Sequence, residues 1–158
     1  MRAPGVVCLA LALASCGAVS DMDAAETQVA AFHRAYDAGK FGPMWDRSAS
    51  TMQQITPKPQ FLVLMDTLRQ RLGKVKSSQR TGFNVNYAPG ASQVTLVYQT
   101  TFANGQGTET FIYDTGKPPR LLGWNVVSPV LMAPGPAPVI LTPAPIPAEK
   151  DMRSAAAE

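Results

Sequence analysis

After Gly73 the apolar residues of this chain change their spacing from that of helices to that of strands. Few folds accommodate such a division. Upstream, Val29, Phe32, His33 and Tyr36 fall at i, i+3, i+4 and i+7, one stripe of a helix that Ser20-Asp21-Met22-Asp23 is suited to start and Gly39 to stop. Phe41-Gly42-Pro43-Met44-Trp45 reads as a turn into a short second helix, with Pro43 at a tolerated first position and Trp45 as a core plug. Ser48 to Pro59 is polar and proline-broken and reads as a loop. Phe61, Leu64, Met65, Leu68 and Leu72 then mark a third helix ended by Gly73.

Downstream the period is two. Lys74 to Tyr87 is strand-like, Ala88-Pro89-Gly90 turns the chain, and Val94, Leu96, Tyr98, Thr100 and Phe102 share one face of the next strand. Asn104-Gly105 is a strong hairpin signal. Centred there, the hairpin sets Tyr98 opposite Phe111, Leu96 opposite Tyr113 and Thr100 opposite Glu109, with the aromatic face buried. Thr115 to Pro119 makes a looser turn, and Arg120 to Ser128 is a last strand. Three helices followed by four antiparallel strands with one apolar face predict an α+β fold, the helices packed on a curved sheet.

The N-terminus carries a second constraint. Residues 3 to 15 are apolar or small apart from Ser15, Arg2 supplies a positive charge, and Leu13-Ala14-Ser15-Cys16 fits what a lipoprotein signal peptidase reads. The run is too short to span a ~30 Å hydrocarbon core as a helix. Residues 1–15 are therefore expected to be a signal peptide, Cys16 the lipid attachment site and first mature residue, and 16–23 a lipid-anchored linker. An ordinary secretory signal cleaved after Ala18 is the alternative. Gly17, in place of Asp, favours the outer membrane by the proteobacterial sorting rule.

Cysteine usage narrows the chemistry. Cys8 lies in the signal and Cys16 would carry lipid, so the mature chain would hold neither a free thiol nor a disulfide. With His33 the sole histidine, zinc sites built from several His or Cys ligands are excluded, and no metal or cofactor is expected. His33 itself reads as a partly buried, hydrogen-bonded residue on a packed face. Residues 24–130 form one domain of roughly 105 residues, large enough for its own core. Loss of Arg2 takes the formal charge from +3 to +2, too slight to argue for nucleic acid.

Several runs carry a resemblance: Tyr87-Ala88-Pro89-Gly90, Tyr98 to Asn104, Glu109-Thr110, Arg120-Leu121-Leu122-Gly123-Trp124, and, among the helices, Asp37-x-Gly39-x-Phe41 before Trp45 and Leu72-Gly73-Lys74-Val75 leading to Arg80. Over about residues 24 to 128 the chain resembles an uncharacterised family of bacterial exported proteins and lipoproteins. The resemblance implies the cone of the nuclear-transport-factor-2-like superfamily, shared with ketosteroid isomerases and scytalone dehydratase. Pro119 stands where relatives tend to open the last strand with tryptophan. Many cone folds dimerise through their sheet, so a homodimer is one implication.

Two kinds of function follow. In the first reading the domain is a closed, non-enzymatic structural or protein-interaction module. The alternative is an open cone that binds a small amphipathic ligand, lined by Tyr36, Trp45, Tyr98, Glu109, Tyr113 and Trp124. An isomerase- or dehydratase-like version would need a base from Asp37, Asp66 or Glu109 and a donor from Tyr98 or Tyr113, and no spacing singles out a pair. Asp37 reads as a helix-end residue and Asp66 as a solvated one.

Two surface features remain. Arg69, Arg71, Lys74, Lys76 and Arg80 set five cations in twelve residues without an acid, either a strip for anionic head groups or an acidic partner, or simply cations at a helix end and on solvated strand positions. From about residue 132 the chain is expected to leave the domain. Seven of its fourteen prolines lie from Pro129 on, spaced as Pro134-x-Pro136-x-Pro138 and Pro143-x-Pro145-x-Pro147, which blocks helix and sheet ladders and favours polyproline II. Residues 131–158 thus read as a Pro-rich tail, inert, acting as a reaching arm toward a periplasmic protein, or folding back through Val139-Ile140-Leu141 as an extra edge segment.

Overall fold

A computed structural model describes the backbone of residues 12–133 and side chains from Gly17 onward. The first eleven residues of the expected signal and the tail from Pro134 lie outside the described residues, as does the Cys16 side chain. The helices are α1 (Ala12–Asp37), α2 (Phe41–Asp46), α3 (Ser50–Ile55) and α4 (Lys58–Leu72). A sheet follows, with β1 (Val75–Asn86), β2 (Gln93–Phe102), β3 (Gly105–Asp114) and β4 (Leu121–Val127), then the short α5 (Pro129–Met132). The strands form an open antiparallel meander in the order β1-β2-β3-β4. The fold is therefore α+β, helices first and one four-stranded sheet after them.

α1 buries Ala25, Val29, Phe32 and Tyr36, a stripe that continues the expected spacing. It begins earlier than the acidic residues suggested: Asp21 and Asp23 lie inside it, and residues 16–23, read as a linker, belong to it. Between Ala12 and Ala24 only Gly17 weakens a run that otherwise permits helix. At its other end Gly39 adopts φ 67°, and bonds from Gly39 N to Tyr36 O and Lys40 N to Ala35 O close the helix in a Schellman turn.

The loop expected over Ser48–Pro59 contains α3 and the first two residues of α4 instead. α3 buries only Met52, so periodicity had nothing to detect. Bonds to other segments hold it: Gln53 Nε2 donates to Trp45 O at 2.9 Å, Trp45 Nε1 to Thr56 O at 2.8 Å, and Ala49 N to Leu121 O at 2.9 Å. Trp45 is thus a half-buried strut between α2 and the end of α3, under the Lys58 ammonium, and no core plug. α4 buries Phe61, Met65, Leu68 and Leu72, whereas Leu64, expected on that stripe, is 48 % exposed because it lies a position off the line of contact.

The inner sheet face matches expectation, with Val94, Leu96, Tyr98, Thr100 and Phe102 all buried. The β2–β3 register does not. The two-residue turn is Ala103-Asn104, so Tyr98 pairs with Glu109, Leu96 with Phe111, Val94 with Tyr113 and Thr100 with Gly107. A slip of this size keeps every residue on its face and changes only its neighbours. The cause is outside the hairpin: Ala103 N donates to Lys74 O, Asn104 N to Leu72 O and Asn104 Nδ2 to Arg71 O, fastening the tip to the end of α4. Gly73, at φ 78°, permits the approach, since a Cβ there would stand 2.6 Å from Ala103 Cβ.

Phe111, fully buried between the rings of Phe32 and Trp124, is the centre of this packing. Phe111→Ala should destabilise the domain by about 3–5 kcal/mol. Trp45→Ala should cost roughly half as much, because only part of that ring leaves water. Denaturant midpoints of the two variants check the ranking, and an equal or larger loss for Trp45→Ala would contradict the placement.

Candidate functional site

One carboxylate lies among the apolar residues of the inner face. β3 turns Glu109 toward the helices, and its side chain is 1 % exposed. A carboxylate in such a place requires hydrogen-bond donors, and three elements supply them. Thr100 of β2 donates its hydroxyl to Oε2 at 2.5 Å, His33 of α1 sets Nε2 2.9 Å from the same oxygen, and Trp124 of β4 donates Nε1–H to Oε1 at 3.1 Å. The Thr100 hydroxyl also lies 2.8 Å from Ser78 Oγ on β1. Thr100 has one hydroxyl proton and gives it to Glu109, so Ser78 is the donor in that second bond. A directed chain, Ser78 to Thr100 to Glu109, crosses three strands.

Rings enclose the cluster. His33 meets Phe111 edge-on at 5.6 Å and Tyr98 at 6.5 Å, and Phe32 stands 5.0 Å from Trp124. A carboxylate–imidazole pair is a proton-transfer constellation in chemical type. Here each carboxylate oxygen is already engaged by a side chain of this protein.

The tyrosines lie around the cluster as packing residues. Burial pushes the Tyr98 phenol up to about 12, with the nearby Glu26 charge adding to the rise and Arg80 opposing it. Burial also raises Tyr36 and Tyr113 well above the ordinary phenol range. The Tyr36 hydroxyl is buried and has no hydrogen-bond partner among the described residues; it lies beneath Arg69, whose guanidinium is 5.8 Å from the ring.

Of the six residues expected to line a ligand site, Tyr36, Tyr98, Glu109, Tyr113 and Trp124 lie in the helix–sheet interior, while Trp45, packed against the edge of the same core, is tied to the α2–α3 corner by its bond to Thr56 O. The other nominated carboxylates are elsewhere. Asp37 Oδ1 accepts from Val75 N at 2.9 Å, tying the end of α1 to the start of β1, and Asp66 is exposed and bonded to Gln70. His33 is the partly buried, hydrogen-bonded histidine its position suggests. Thr100, expected directly opposite Glu109, pairs with Gly107 and reaches the carboxylate along the diagonal, while Ser78 had no expected place beside it. Their signal was a threonine and a glutamate on strand faces that otherwise read apolar. Among the described residues no group of three or more His, Cys, Asp or Glu side chains is placed to hold a metal.

Open space lies beside this cluster. A cleft of about 70 Å³ is bounded by α1, α2 and the start of β4, and Tyr113 is the one expected site residue on its wall. A wider cleft of about 350 Å³ lies between the N-terminal half of α1 and the Gly116–Pro119 turn.

Two variants separate the satisfied carboxylate from the unsatisfied phenol. Glu109→Gln turns an amide NH2 toward donors and should cost about 2–4 kcal/mol, while Tyr36→Phe removes an orphan hydroxyl and should leave stability unchanged or raised. Calorimetric melting checks both, and a loss above ~1 kcal/mol for Tyr36→Phe would reveal a partner for that hydroxyl. The alkaline limb follows from the three buried phenols, Tyr36, Tyr98 and Tyr113, all raised in the same direction, and Tyr98 is the one that can be isolated. Its folded pKa lies above the ordinary 10.0, so its contribution is complete below pH 10.0 and is lost as pH rises toward about 12. Melting temperature should therefore hold up to that lower value and fall beyond it, less steeply in Tyr98→Phe; an equal slope in the variant would contradict the assignment.

No curated protein matches the chain. A family model, described as a protein of unknown function (DUF4019), matches residues 28–120, from the middle of α1 to the threshold of β4. That span is more than half of the sequence, and the chain belongs to the DUF4019 family.

Proposed function

We propose that this protein is a lipid-anchored component of the bacterial cell envelope, attached through Cys16, facing the periplasm and favouring the outer membrane. Its folded domain acts as a non-enzymatic interaction module. The observation that carries the second statement is the closed interior: the Glu109 carboxylate is bonded by Thr100, His33 and Trp124, and aromatic rings pack around it. In this reading the helices over the inner face make a nuclear-transport-factor-2-like cone filled by its own side chains. Interaction then falls to the surface and the tail.

The two ends of the domain support a tether. Tyr87 donates to Asp21 Oδ2 at 2.9 Å, so the N-terminal turns of α1 lie at the end of β1. Cys16 is nine positions before Ala25, the first core residue, or about 14 Å along the helix at 1.5 Å per residue. At the opposite end, Arg71 Nη2 donates to Val130 O at 2.9 Å and Ala133 O at 2.6 Å, and Ser128 Oγ donates to Gln106 O at 2.6 Å. The described chain thus ends, at Ala133, at the pole away from the first turns of α1. Arg69 and Arg71 lie at that far pole and serve backbone carbonyls, and Arg80 pairs with Glu26. That arrangement favours helix-end and structural roles for the strip over contact with head groups.

Radiolabelled palmitate fed to the source bacterium should enter the wild-type chain and not Cys16→Ser, which should retain an intact signal or run as a misprocessed, soluble periplasmic form. Equal labelling of both would sink the anchoring claim. Deleting residues 134–158 should leave the melting temperature almost unchanged while removing in-cell photo-crosslinks formed from a probe at Val130. A large stability loss would show that the tail is part of the fold, and persisting crosslinks would show that it is not the contact.

A further inference from the structure

The two clefts beside α1 adjoin, sharing Gln28 and Pro119 in their walls. Together they make one groove along the helix. Small α1 residues keep it open: Ala24 faces the wider part, and Ala31 and Ala35 face the narrower. The floor of the narrower part is apolar, with Phe32, Met44 and Leu121 buried at its base.

Charge is distributed unevenly along it. Arg47 borders the narrow part, is exposed, and makes no ion pair or side-chain hydrogen bond among the described residues. Lys117 borders the wide part and is likewise exposed. The acid on this wall, Asp21, accepts the Tyr87 hydroxyl. An apolar floor disfavours a highly polar ligand, and the two cations disfavour an amine. A concave strip between a helix and a turn suits a slender molecule better than a protein surface.

We propose that this groove binds an amphipathic carboxylate, an aliphatic acid whose head pairs with Arg47 and whose chain lies over Phe32, Met44 and Leu121. A guanidinium holds a carboxylate by two parallel hydrogen bonds, and the chain gains by leaving water against an apolar floor. The site is distinct from the closed interior around Glu109, and the inference does not depend on lipidation of Cys16. It also gives Pro119 a role, since its ring forms the shared wall where the two parts of the groove meet.

The test is a titration of the purified Cys16→Ser chain, which carries no acyl group of its own, with decanoate, decanol and decylamine, followed by backbone amide shifts. Decanoate should bind saturably, with the largest shifts at Ala31, Ala35 and Arg47, and about tenfold or more tightly than either analogue. Arg47→Glu, at an exposed position, should weaken decanoate by about tenfold or more while leaving decanol unchanged. Ala31→Trp should fill the groove and abolish binding of both; if it fails to fold, Arg47→Glu still decides. Equal affinity for decanoate and decanol, shifts centred elsewhere, no response to Arg47→Glu, or no saturable binding would each overturn the proposal.

Discussion

The carboxylate of Glu109 is the constraint on which the rest of the structure depends. A charge-bearing group facing an apolar interior is tolerated only with partners of good geometry, and a partly satisfied buried network is worse than an apolar core. The partners come from α1, β2 and β4, and through Ser78 the network reaches β1. Satisfying one side chain therefore fixes the rotation of the long helix against the sheet and the mutual position of all four strands. Apolar packing alone accepts many near-equivalent arrangements. Glu109 selects among them, because His33, Thr100 and Trp124 reach it together in this one.

A second set of contacts closes the far pole. The α1 terminus is joined to β1 by Asp37, the β2–β3 tip to the end of α4 through Gly73, and α5 to α4 by Arg71. These bonds involve backbone carbonyls and amides, the groups that helix ends and turns leave unpaired. They explain why three glycine-, asparagine- and serine-bearing corners meet there. The near pole, around the first turns of α1 and the Gly116–Pro119 turn, is more open and contains the wider part of the groove. Closure at one end and space at the other give the domain a direction, with an anchor expected at the open pole and a tail at the closed one.

Much of the fold was legible in the sequence where burial is periodic. The stripes of α1 and α4 and the alternating inner face of β2 follow from residue spacing, because each element packs one face against a single core. α3 was not legible, since Ser50–Ile55 buries one residue and is held by Gln53 and Ala49 bonding to distant backbone. The hairpin register failed for a related reason: Asn104-Gly105 proposed a local turn, and Arg71, Leu72 and Lys74 pulled it one residue earlier. The candidate site was half visible. Its carboxylate, its aromatic residues and Thr100 stood on faces the period identified, while His33 and Ser78 join it through contacts across up to 76 positions of chain. The groove was not visible at all, since its walls come from a helix, a turn and a strand end with no shared motif.

A double-mutant cycle between His33 and Glu109, each replaced by leucine singly and together, measures most directly whether this carboxylate network organises the fold. His33→Leu alone leaves a buried carboxylate short of a donor, and Glu109→Leu alone leaves three donors without their acceptor. The account predicts that the double variant is more stable than the sum of the two losses implies, with a coupling of about 1–3 kcal/mol. Losses that add within ~0.5 kcal/mol would contradict it, and would mean that the pair is an incidental contact in a core held by apolar packing alone.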